Sequence, residues 1–331
     1  MPRKIEFASL GNMSLLDTIF GTNDSHLLIA PIGLGKTSFV FHLLNKEKKI
    51  IFIAPLRSIV EEVLEKADTF SINDFEVFCL AKKGILVATP ESLLSFDLEY
   101  FSMRNILFVL DEFHLYYEWA DTFRDSMRDF LEELYALEAR ILGLTATMWN
   151  IHFKKLKIDM ALIQREMQII DLGNMDFHYP PECSKAMTCN QLNYEMIKLG
   201  LISRKKVIVF VRTRKEVTIF VDRLKKYGVD VIGCVGGESS LFLKAYRQRS
   251  YQFIVATKVL GHGVNLGRID RVLILDEVPS YEKVQMCGRG GRDANSYKVF
   301  YLNNSKSMNL RSKIKELFSI SALKVLEFFY E

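Results

Sequence analysis

The eight residues at positions 30–37, A-P-I-G-L-G-K-T, have the residue types and spacing of a loop that holds phosphate groups. The apolar residues 26–30 predict a short buried strand that leads into this loop, and residues 38–44 predict the first turns of a helix. A glycine-rich turn between a strand and a helix N-terminus points backbone N–H groups and the positive end of the helix dipole at an anion. The segment therefore predicts a phosphate cradle.

Lys36 is expected to reach the β and γ phosphates of a bound nucleotide, and Thr37 is expected to bind Mg²⁺. The usual nucleotide-binding pattern starts with glycine, and Ala30 stands at that position here, where a small residue still lets the turn close. The alternative is a glycine turn that has an unrelated lysine beside it. The predicted nucleotide-binding residues of this loop are Pro31, Ile32, Gly33, Leu34, Gly35, Lys36, Thr37 and Ser38.

Two adjacent acidic residues follow a second apolar run. Residues 106–110 predict a buried strand, and Asp111 and Glu112 come directly after it in the segment L-D-E-F-H. One carboxylate at this position is expected to reach the Mg²⁺ held by Thr37, and the second is expected to take a proton from an attacking water. We assign Asp111 to the metal and Glu112 to the role of general base. The alternative is that the pair merely caps the strand in solvent.

Alternating strands and helices are predicted to position these residues. Apolar runs typical of buried parallel strands recur between helical segments at 60–67 and 123–137, and they cover residues 50–54, 84–88, 106–110 and 141–144. A stretch without clear periodicity, residues 171–189, contains Gly173 and two adjacent prolines. We place the domain boundary near this stretch, which gives an N-terminal domain of residues 1–175 and a C-terminal domain of residues 176–331.

The alternation restarts after the boundary. A helix is predicted at 216–227, and strands are predicted at 207–211, 229–234, 253–256, 272–275 and 298–301. The expected fold class is α/β, with two tandem doubly wound parallel-sheet domains. Ligands of such sheets bind outside the carboxyl ends of the strands.

Composition limits the class of protein. A chain of 331 residues with 49% hydrophobic content can bury the cores of two domains. The net charge of +4 suits a phosphate-backbone partner and an ordinary soluble enzyme equally well. The five scattered cysteines form no C-x-x-C pair, so neither disulfides nor structural zinc are expected. No signal peptide or membrane-length apolar run is recognisable, so we expect a soluble, cytoplasmic protein with no membrane partner.

Seven further motifs follow the phosphate loop in order. The first half contains A-P-L-R at 54–57, A-T-P-E at 88–91, D-E-F-H at 111–114 and L-T-A-T at 144–147. The second half contains V-F-V-R-T at 209–213, V-A-T at 255–257 running into G-H-G-V-N at 261–265, and Q-M-C-G-R-G-G-R at 285–292. Together they resemble the superfamily 2 helicases of the DExH type over nearly the whole chain. The resemblance implies two RecA-like domains with ATP clamped in a cleft between them.

The resemblance also implies roles in catalysis for the last motifs. Gln285 is expected to help place the lytic water or the γ-phosphate, and Arg289 and Arg292 are expected to act as arginine fingers. Gly263 and Asn265 of the fifth family motif are expected beside the nucleotide, with Asn265 at the ribose. A loop-capping role remains open for Asn265.

The family further implies a nucleic-acid track and residues that couple it to the ATP site. The expected contacts to the sugar-phosphate backbone are Arg57, Thr89, Pro90, Arg212, Thr213, Thr257 and Lys258, and affinity is expected to fall with salt. Thr145 and Thr147 resemble the coupling motif, although ordinary turn capping remains open for both hydroxyls. His114 is expected to contact Gln285 or the coupling motif, and a satisfied core histidine is the alternative.

The segment after D-E-F-H, L-Y-Y-E-W-A-D-T-F-R, is similar to the aromatic-rich loop of RecQ-like DNA helicases. Trp119 and Arg124 are therefore expected to contact single-stranded nucleic acid through stacking and charge. Phe123 has helical spacing with three later apolar residues, so a core position for Phe123 remains open. The zinc-binding and winged-helix modules of many RecQ proteins do not fit the remaining length, and an amphipathic helix is expected at 312–329.

The function expected from this sequence is an ATP- and Mg²⁺-dependent helicase or translocase that moves along single-stranded nucleic acid, with DNA favoured over RNA. An RNA-directed DExH ATPase and a translocase that does not unwind are alternatives. A nucleotide-gated binding module with little turnover is an alternative of another class. No glutamine precedes Gln164, so the adenine-reading glutamine that many of these families place upstream of the phosphate loop is missing.

Overall fold

The computed structural model describes residues 19, 25–44, 47–96, 98, 106–137, 139–188, 191–192, 195–196, 205–261, 265–291 and 296–302. The chain divides into two compact units, Met1–His178 and Tyr179–Glu331. Each unit contains a parallel sheet with helices packed on it. The predicted positions Gly263 and Arg292 and the predicted helix at 312–329 lie outside the described residues.

The first unit is built on a seven-stranded parallel sheet. Its strands are β1 Ser25–Ile29, β2 Lys49–Ile53, β3 Thr69–Ser71, β4 Gly84–Ala88, β5 Leu107–Leu110, β6 Arg140–Thr145 and β7 Met167–Asp171, in the order β3-β4-β2-β5-β6-β1-β7. The helices whose bounds lie in the described part of this unit are α1 Lys36–Leu43, α2 Arg57–Leu64, α3 Phe75–Leu80, α4 Pro90–Leu93, α5 His114–Ala120, α6 Ser126–Ala136 and α7 Asn150–Leu162. The carboxyl ends of β1, β2, β5 and β6 are neighbours along one edge.

The strands of this sheet are covered by apolar layers on both faces. In β2, Ile51 and Ile53 point into one buried layer, whereas Ile50 and Phe52 point into the other. Both layers exclude water, which is why the central strands appear in the sequence as continuous apolar runs instead of alternating patterns.

Gly143 in β6 gives the D-E-F-H segment its place on the sheet. A Cβ atom at position 143 would lie 2.8 Å from Cδ2 of Phe113 and 3.0 Å from Cδ1 of Leu27, which is too close for an unshifted side chain. The Phe113 ring therefore packs directly on the bare backbone of the strand. This contact fixes the segment that carries Asp111 and Glu112.

The second unit is built on a six-stranded parallel sheet. Its strands are β8 Cys183–Met187, β9 Val207–Phe210, β10 Val231–Cys234, β11 Phe253–Ala256, β12 Arg271–Ile274 and β13 Lys298–Leu302, in the order β10-β11-β9-β12-β13-β8. The helices described in this unit are α8 Arg214–Lys226, α9 Ser239–Gln248 and α10 Ser280–Cys287, with a 3₁₀ turn at Lys258–Gly261. The α/β class with two parallel-sheet domains is confirmed.

Some elements differ from the sequence prediction. β8 lies inside the stretch that was expected to hold only a domain boundary. The sequence did not reveal this edge strand, because it is mostly exposed and gives no apolar run. β3, β7 and α7 were not predicted at all. Residues 114–120 form the helix α5 where the resemblance implied a loop, and five of its side chains, Leu115, Tyr116, Tyr117, Trp119 and Ala120, are buried in the core.

Candidate nucleotide and nucleic-acid site

The phosphate loop runs from the end of β1 into α1. Gly33 and Gly35 have φ angles of 84° and 89°, a left-handed conformation that glycine adopts at little cost. Gly35 is also the N-cap of α1, and no side chain caps the helix there. The first N–H groups of α1 therefore face the loop, as an anion cradle requires.

Lys36 folds back over this loop. Its ammonium group donates to the carbonyl of Ala30 at 3.2 Å and to that of Pro31 at 3.5 Å. Ala30 is buried, and its N–H donates to the Thr145 carbonyl at 2.9 Å. The loop is thus attached to the strand end that carries L-T-A-T.

A brace on the phosphate loop was missed by the sequence reasoning. The N–H of Ile32 donates to the carbonyl of Asp176, and the N–H of His178 donates back to the carbonyl of Ile32, both at 2.9 Å. Gly173 lets this segment pack closely on the phosphate loop, because a Cβ atom at position 173 would lie only 3.0 Å from Cγ of Pro31. Glycine near the end of the first domain was the available signal, but we interpreted it as a boundary.

Asp111 and Glu112 are both buried, so they are not a solvent cap on the strand. The N–H of Asp111 donates to the Ile53 carbonyl, and the N–H of Phe113 donates to the Leu144 carbonyl, which holds the pair between β2 and β6. Glu112 has a φ of 48°, an uncommon conformation for a residue with a side chain. Such local strain is found disproportionately at functional sites.

Burial and, after it, the adjacent Glu112 charge raise the pKa of Asp111, the Lys36 ammonium opposes them, and the net result is a pKa of about 7. The two carboxylates and the lysine therefore interact electrostatically. A pair of this kind gains stability from a divalent cation, because the cation removes the cost of holding two buried negative charges.

His114 connects the acidic segment to L-T-A-T. Its Nδ1 lies 2.9 Å from Oγ1 of Thr145 and 3.7 Å from a carboxylate oxygen of Glu112. The Thr145 hydroxyl donates to the Thr147 carbonyl at 2.9 Å and accepts from the Thr147 N–H at 3.2 Å. Since that hydroxyl proton is used, Nδ1 of His114 must be the donor to Thr145.

His114 is neutral at physiological pH. Burial and, to a smaller extent, the neighbouring His152 and Lys36 charges lower its pKa to about 3. The contact with Thr145 joins the acidic motif to the motif expected to couple the ATP site with the nucleic acid.

The expected nucleic-acid residues of the first unit lie after neighbouring strands. Arg57 is exposed at the first residue of α2, after β2. Thr89 is the N-cap of α4, after β4, and it exchanges hydrogen bonds with Ser92 in a capping box. Pro90 is buried at the first position of that helix. Thr89 and Pro90 therefore have structural roles in ending β4 and starting α4.

Arg124 is partly buried, and its guanidinium is held by protein groups. Its guanidinium forms a bidentate pair with Glu91 at 2.6 and 2.8 Å and donates to the Pro55 carbonyl at 2.5 Å. Ser126 donates to the same Glu91 carboxylate at 2.9 Å. Burial favours a higher pKa for Glu91, but the hydrogen bonds, that from Arg124 foremost, outweigh it and lower the pKa. The direct contact of Arg124 with nucleic acid stays a prediction, and within the first unit its guanidinium forms a clamp between the A-P-L-R and A-T-P-E loops.

Trp119 does not offer an exposed stacking face, which corrects the expectation from the aromatic-rich segment. It lies in α5, only 9% exposed, with its ring 5.4 Å from that of Phe123 and the Arg124 guanidinium 5.4 Å from its centroid. Helix formation explains the difference, because α5 turns this side chain into the core. Phe123 is 69% exposed, so it is not a core residue.

In the second unit, Arg212 and Thr213 are exposed directly after β9. Thr213 is the N-cap of α8 and forms a capping box with Glu216, whose carboxylate also accepts from the Arg212 N–H at 2.9 Å. Thr257 is buried after β11, and Lys258 is exposed and paired with Glu282 at 2.8 Å.

Gln285 lies in α10, and Arg289 follows the end of this helix. Gln285 and Arg289 are buried, at 1% and 3% exposure. Oδ1 of Asn265 accepts from the Gly267 N–H at 3.0 Å, so this side chain caps a loop. Among the residues that the structure describes, no helix is long and apolar enough to cross a membrane. The same part of the chain contains no group of three His, Cys, Asp or Glu side chains placed to hold a metal ion.

Comparison with known proteins agrees with this geometry. Residues 13–153 match the family model of the DEAD/DEAH box helicases, and residues 191–294 match the helicase conserved C-terminal domain. The chain is 24% identical over 335 residues to ATP-dependent DNA helicase Q-like 5 of Arabidopsis thaliana, covering 91% of this chain and 36% of that protein. It is 22% identical over 333 residues to ATP-dependent RNA helicase eIF4A of Sclerotinia sclerotiorum, covering 88% of this chain and 79% of that protein.

Solved structures show the same fold. Dbp5 of S. cerevisiae, solved with RNA and ADP BeF3, superposes with a TM-score of 0.65 at 18% identity, covering 89% of this chain and 83% of that chain. The RecA-like fold predicted for both domains is therefore confirmed.

Two parallel-sheet domains, the phosphate loop and the two family matches define the class of protein, that of chains built on the two-domain helicase core. The chain contains both domains of the DEAD/DEAH-box core and belongs to the superfamily 2 helicases. It spans about a third of the length of the plant DNA helicase that it matches.

Proposed function

We propose that this chain is a nucleic-acid-stimulated ATPase that converts ATP hydrolysis into movement along single-stranded nucleic acid. The observation that carries this proposal is the convergence of Lys36, Asp111 and Glu112 at one edge of the first sheet. The three groups influence each other's charge, and the loop beside them has uncapped N–H groups. In this set, Lys36 suits the phosphate charge, Asp111 suits a metal ion, and Glu112 suits an attacking water.

The residues present fit Mg²⁺ and ATP. Gly33 and Gly35 present bare backbone in the loop, and Asp111 and Glu112 are adjacent buried carboxylates, so that burial and the Glu112 charge raise the pKa of Asp111. Thr37 and Asp111 would hold Mg²⁺, since this ion takes one or two protein ligands together with phosphate oxygens. When bound, the ion neutralises charge on the β and γ phosphates.

The chain's own residues then have separate roles. Lys36 and the N–H groups from Pro31 to Ser38 bind and orient the phosphates, and Glu112 accepts the proton of the attacking water. In the second unit we assign Gln285, Arg289 and Arg292 to stabilising the charge on the γ-phosphate, and Gly263 and Asn265 to the nucleotide. His114, Thr145 and Thr147 couple this chemistry to nucleic-acid binding through the hydroxyl contact described above.

The proposed track for single-stranded nucleic acid consists of Arg57, Thr89, Pro90, Arg212, Thr213, Thr257 and Lys258. We favour DNA as the substrate and a RecQ-like, DExH-type protein, because of the aromatic segment after D-E-F-H and the similarity to the plant DNA helicase. RNA is the second candidate, favoured by the similarity to eIF4A. We also propose a cytoplasmic location for the protein.

Steady-state ATPase assays test the proposal, with no nucleic acid, single-stranded DNA, duplex DNA and RNA. We expect strong stimulation by single-stranded DNA and a lower effect of RNA. Stimulation by RNA alone would select the RNA-directed alternative. Turnover that no nucleic acid changes would select the nucleotide-gated binding module and contradict the motor. Glu112→Gln serves as the control for contaminating ATPases.

A further inference from the structure

The second sheet has an edge opposite the one that carries the motif residues. Its six parallel strands all begin there, and backbone hydrogen bonds join the residues just before neighbouring strands, as from Asp270 N–H to the Lys206 carbonyl at 2.9 Å. The same edge receives the last turns of α8 and α9. We call the described residues 182, 205–206, 223–230, 247–252, 268–271 and 298 the amino edge.

The amino edge is strongly basic. It contains ten Lys and Arg side chains, and its acidic residues are only Glu182, Asp230 and Asp270. The resulting net charge of +7 exceeds the net charge of +4 of the whole chain, so the rest of the chain is acidic on balance. A cationic surface on an otherwise acidic protein is typical of proteins that bind a phosphate backbone.

Stacked aromatic rings hold part of this charge in place. The rings of Phe242, Tyr246 and Tyr251 follow one another at centroid distances of 5.4 and 6.4 Å with interplanar angles of 21° and 12°. Lys206 Nζ lies 4.7 Å from the Tyr246 centroid, and the Arg249 guanidinium lies 4.5 Å from that of Tyr251. Cations held against rings in this way lose little freedom when they bind an anion.

The local structure alone does not require so many cations. Lysine and arginine at helix C-termini offset the helix dipole, which accounts for Arg223, Lys225 and Lys226 in α8 and for Arg247 in α9. The dipole does not account for the cations just before the strands or at their first residues, which are Lys205, Lys206, Arg268, Arg271 and Lys298, and only Arg268 and Lys298 of these pair with an acid of the edge. Each acid already has a basic neighbour: Asp230 pairs with Arg249, Asp270 with Arg268 and Glu182 with Lys298.

We propose that the amino edge is a second nucleic-acid surface, which binds the phosphate backbone away from the edge that carries Arg212, Thr213 and Thr257. This inference rests on the proposed function for its choice of polyanion. Six strands spaced about 4.8 Å apart make the edge about 24 Å long, enough for several phosphates. A nucleic-acid strand that the motif residues already bind is tethered to the protein, so even weak contacts with the amino edge add to the overall affinity.

The test is fluorescence anisotropy of a labelled single-stranded DNA with the full chain over a range of salt concentrations. Two variants each remove two exposed positive charges, Lys225→Gln/Lys226→Gln and Arg247→Gln/Arg249→Gln. We expect each to weaken binding by roughly threefold or more. The slope of log affinity against log salt should fall by about one for each phosphate that the variant no longer neutralises.

Lys154→Gln/Lys157→Gln is the matched control, because it removes two exposed positive charges from α7 of the first unit. We expect its affinity and salt slope to equal those of the wild type, and thermal unfolding should show that all three variants are folded. Amino-edge variants that behave like this control would overturn the second surface and leave the motor proposal intact. A wild-type chain that binds no nucleic acid would instead overturn both.

Discussion

Nδ1 of His114 lies 2.9 Å from Oγ1 of Thr145, and both residues are completely buried. The contact joins the segment that carries the proposed general base to the strand end that anchors the phosphate loop. Because the hydroxyl also donates to the Thr147 carbonyl, one oxygen atom contacts both His114 and the backbone of the L-T-A-T segment. The first unit therefore has a physical connection between its acidic residues and the proposed coupling motif.

Thr145→Val should break this connection at nearly constant volume. The His114 Nδ1–H and the Thr147 N–H lose their acceptor in a buried site, which costs about 1–3 kcal/mol for each unsatisfied group. We expect a lower free energy of unfolding and weaker stimulation of ATPase activity by nucleic acid. Thr145→Ser keeps the hydroxyl and is the control; equal losses in both variants would mean that the hydroxyl contact is irrelevant.

The raised pKa of Asp111 predicts a pH dependence of stability in the absence of nucleotide and metal. Its pKa is about 7 in the folded chain and ordinarily 3.8, so the folded state holds a proton that the unfolded state releases between these values. The stability that this proton contributes is complete below the lower value and is lost as pH rises through about 7. Asp111→Asn should therefore stabilise the protein more at high pH than at low pH.

Thermal unfolding of wild type and Asp111→Asn at about pH 5 and about pH 8.5 measures this effect as a difference. His114 acts in the opposite direction, because its lowered pKa makes the folded state less stable as pH falls, but this contribution is common to both proteins. Curves that differ by the same amount at both pH values would show that Asp111 titrates normally.

The clamp formed by Arg124 and Glu91 predicts an indirect effect on nucleic-acid binding. Glu91→Gln or Arg124→Lys removes the bidentate geometry, so the loops that carry Arg57 and Thr89 lose their common support. We expect a higher nucleic-acid concentration for half-maximal ATPase stimulation, with the unstimulated rate retained. A double-mutant cycle with both substitutions measures the coupling between Glu91 and Arg124, and strictly additive effects would exclude a clamp.

Gly143→Ala should displace the acidic segment by overpacking. The added Cβ would meet the Phe113 ring at 2.8 Å in a fully packed core, and such insertions cost about 1–3 kcal/mol. We expect lower stability together with slower ATP turnover, measured by denaturant unfolding and steady-state kinetics. Gly236→Ala has no atom nearer than 3.9 Å to its new Cβ and should leave both quantities unchanged.

The sequence was sufficient to predict every described strand except β3, β7 and β8, because a parallel strand buried on both faces leaves an uninterrupted apolar run. It was insufficient for β8, whose exposed side chains carry no such signal. The phosphate loop and the acidic pair were recognisable because their chemistry depends on residue type at close spacing. The Arg124–Glu91 clamp was not, because 33 residues separate its partners and only the fold brings them together.

Trp119 shows the same limit at a single residue. Its residue type suited stacking on bases, but whether its ring faces solvent depends on α5, and the polar residues around it conceal that helix in the sequence. The structure buries Trp119 and exposes Phe123, four residues later.

The most direct measurement of the central claim compares nucleotide binding with turnover in Lys36→Ala and Glu112→Gln. Glu112→Gln keeps the phosphate loop, so we expect it to bind Mg²⁺-ATP like the wild type while its turnover falls by about 10²- to 10⁴-fold. Lys36→Ala should lose affinity for the triphosphate itself. Wild-type turnover in Glu112→Gln, with nucleic-acid stimulation intact, would contradict the account.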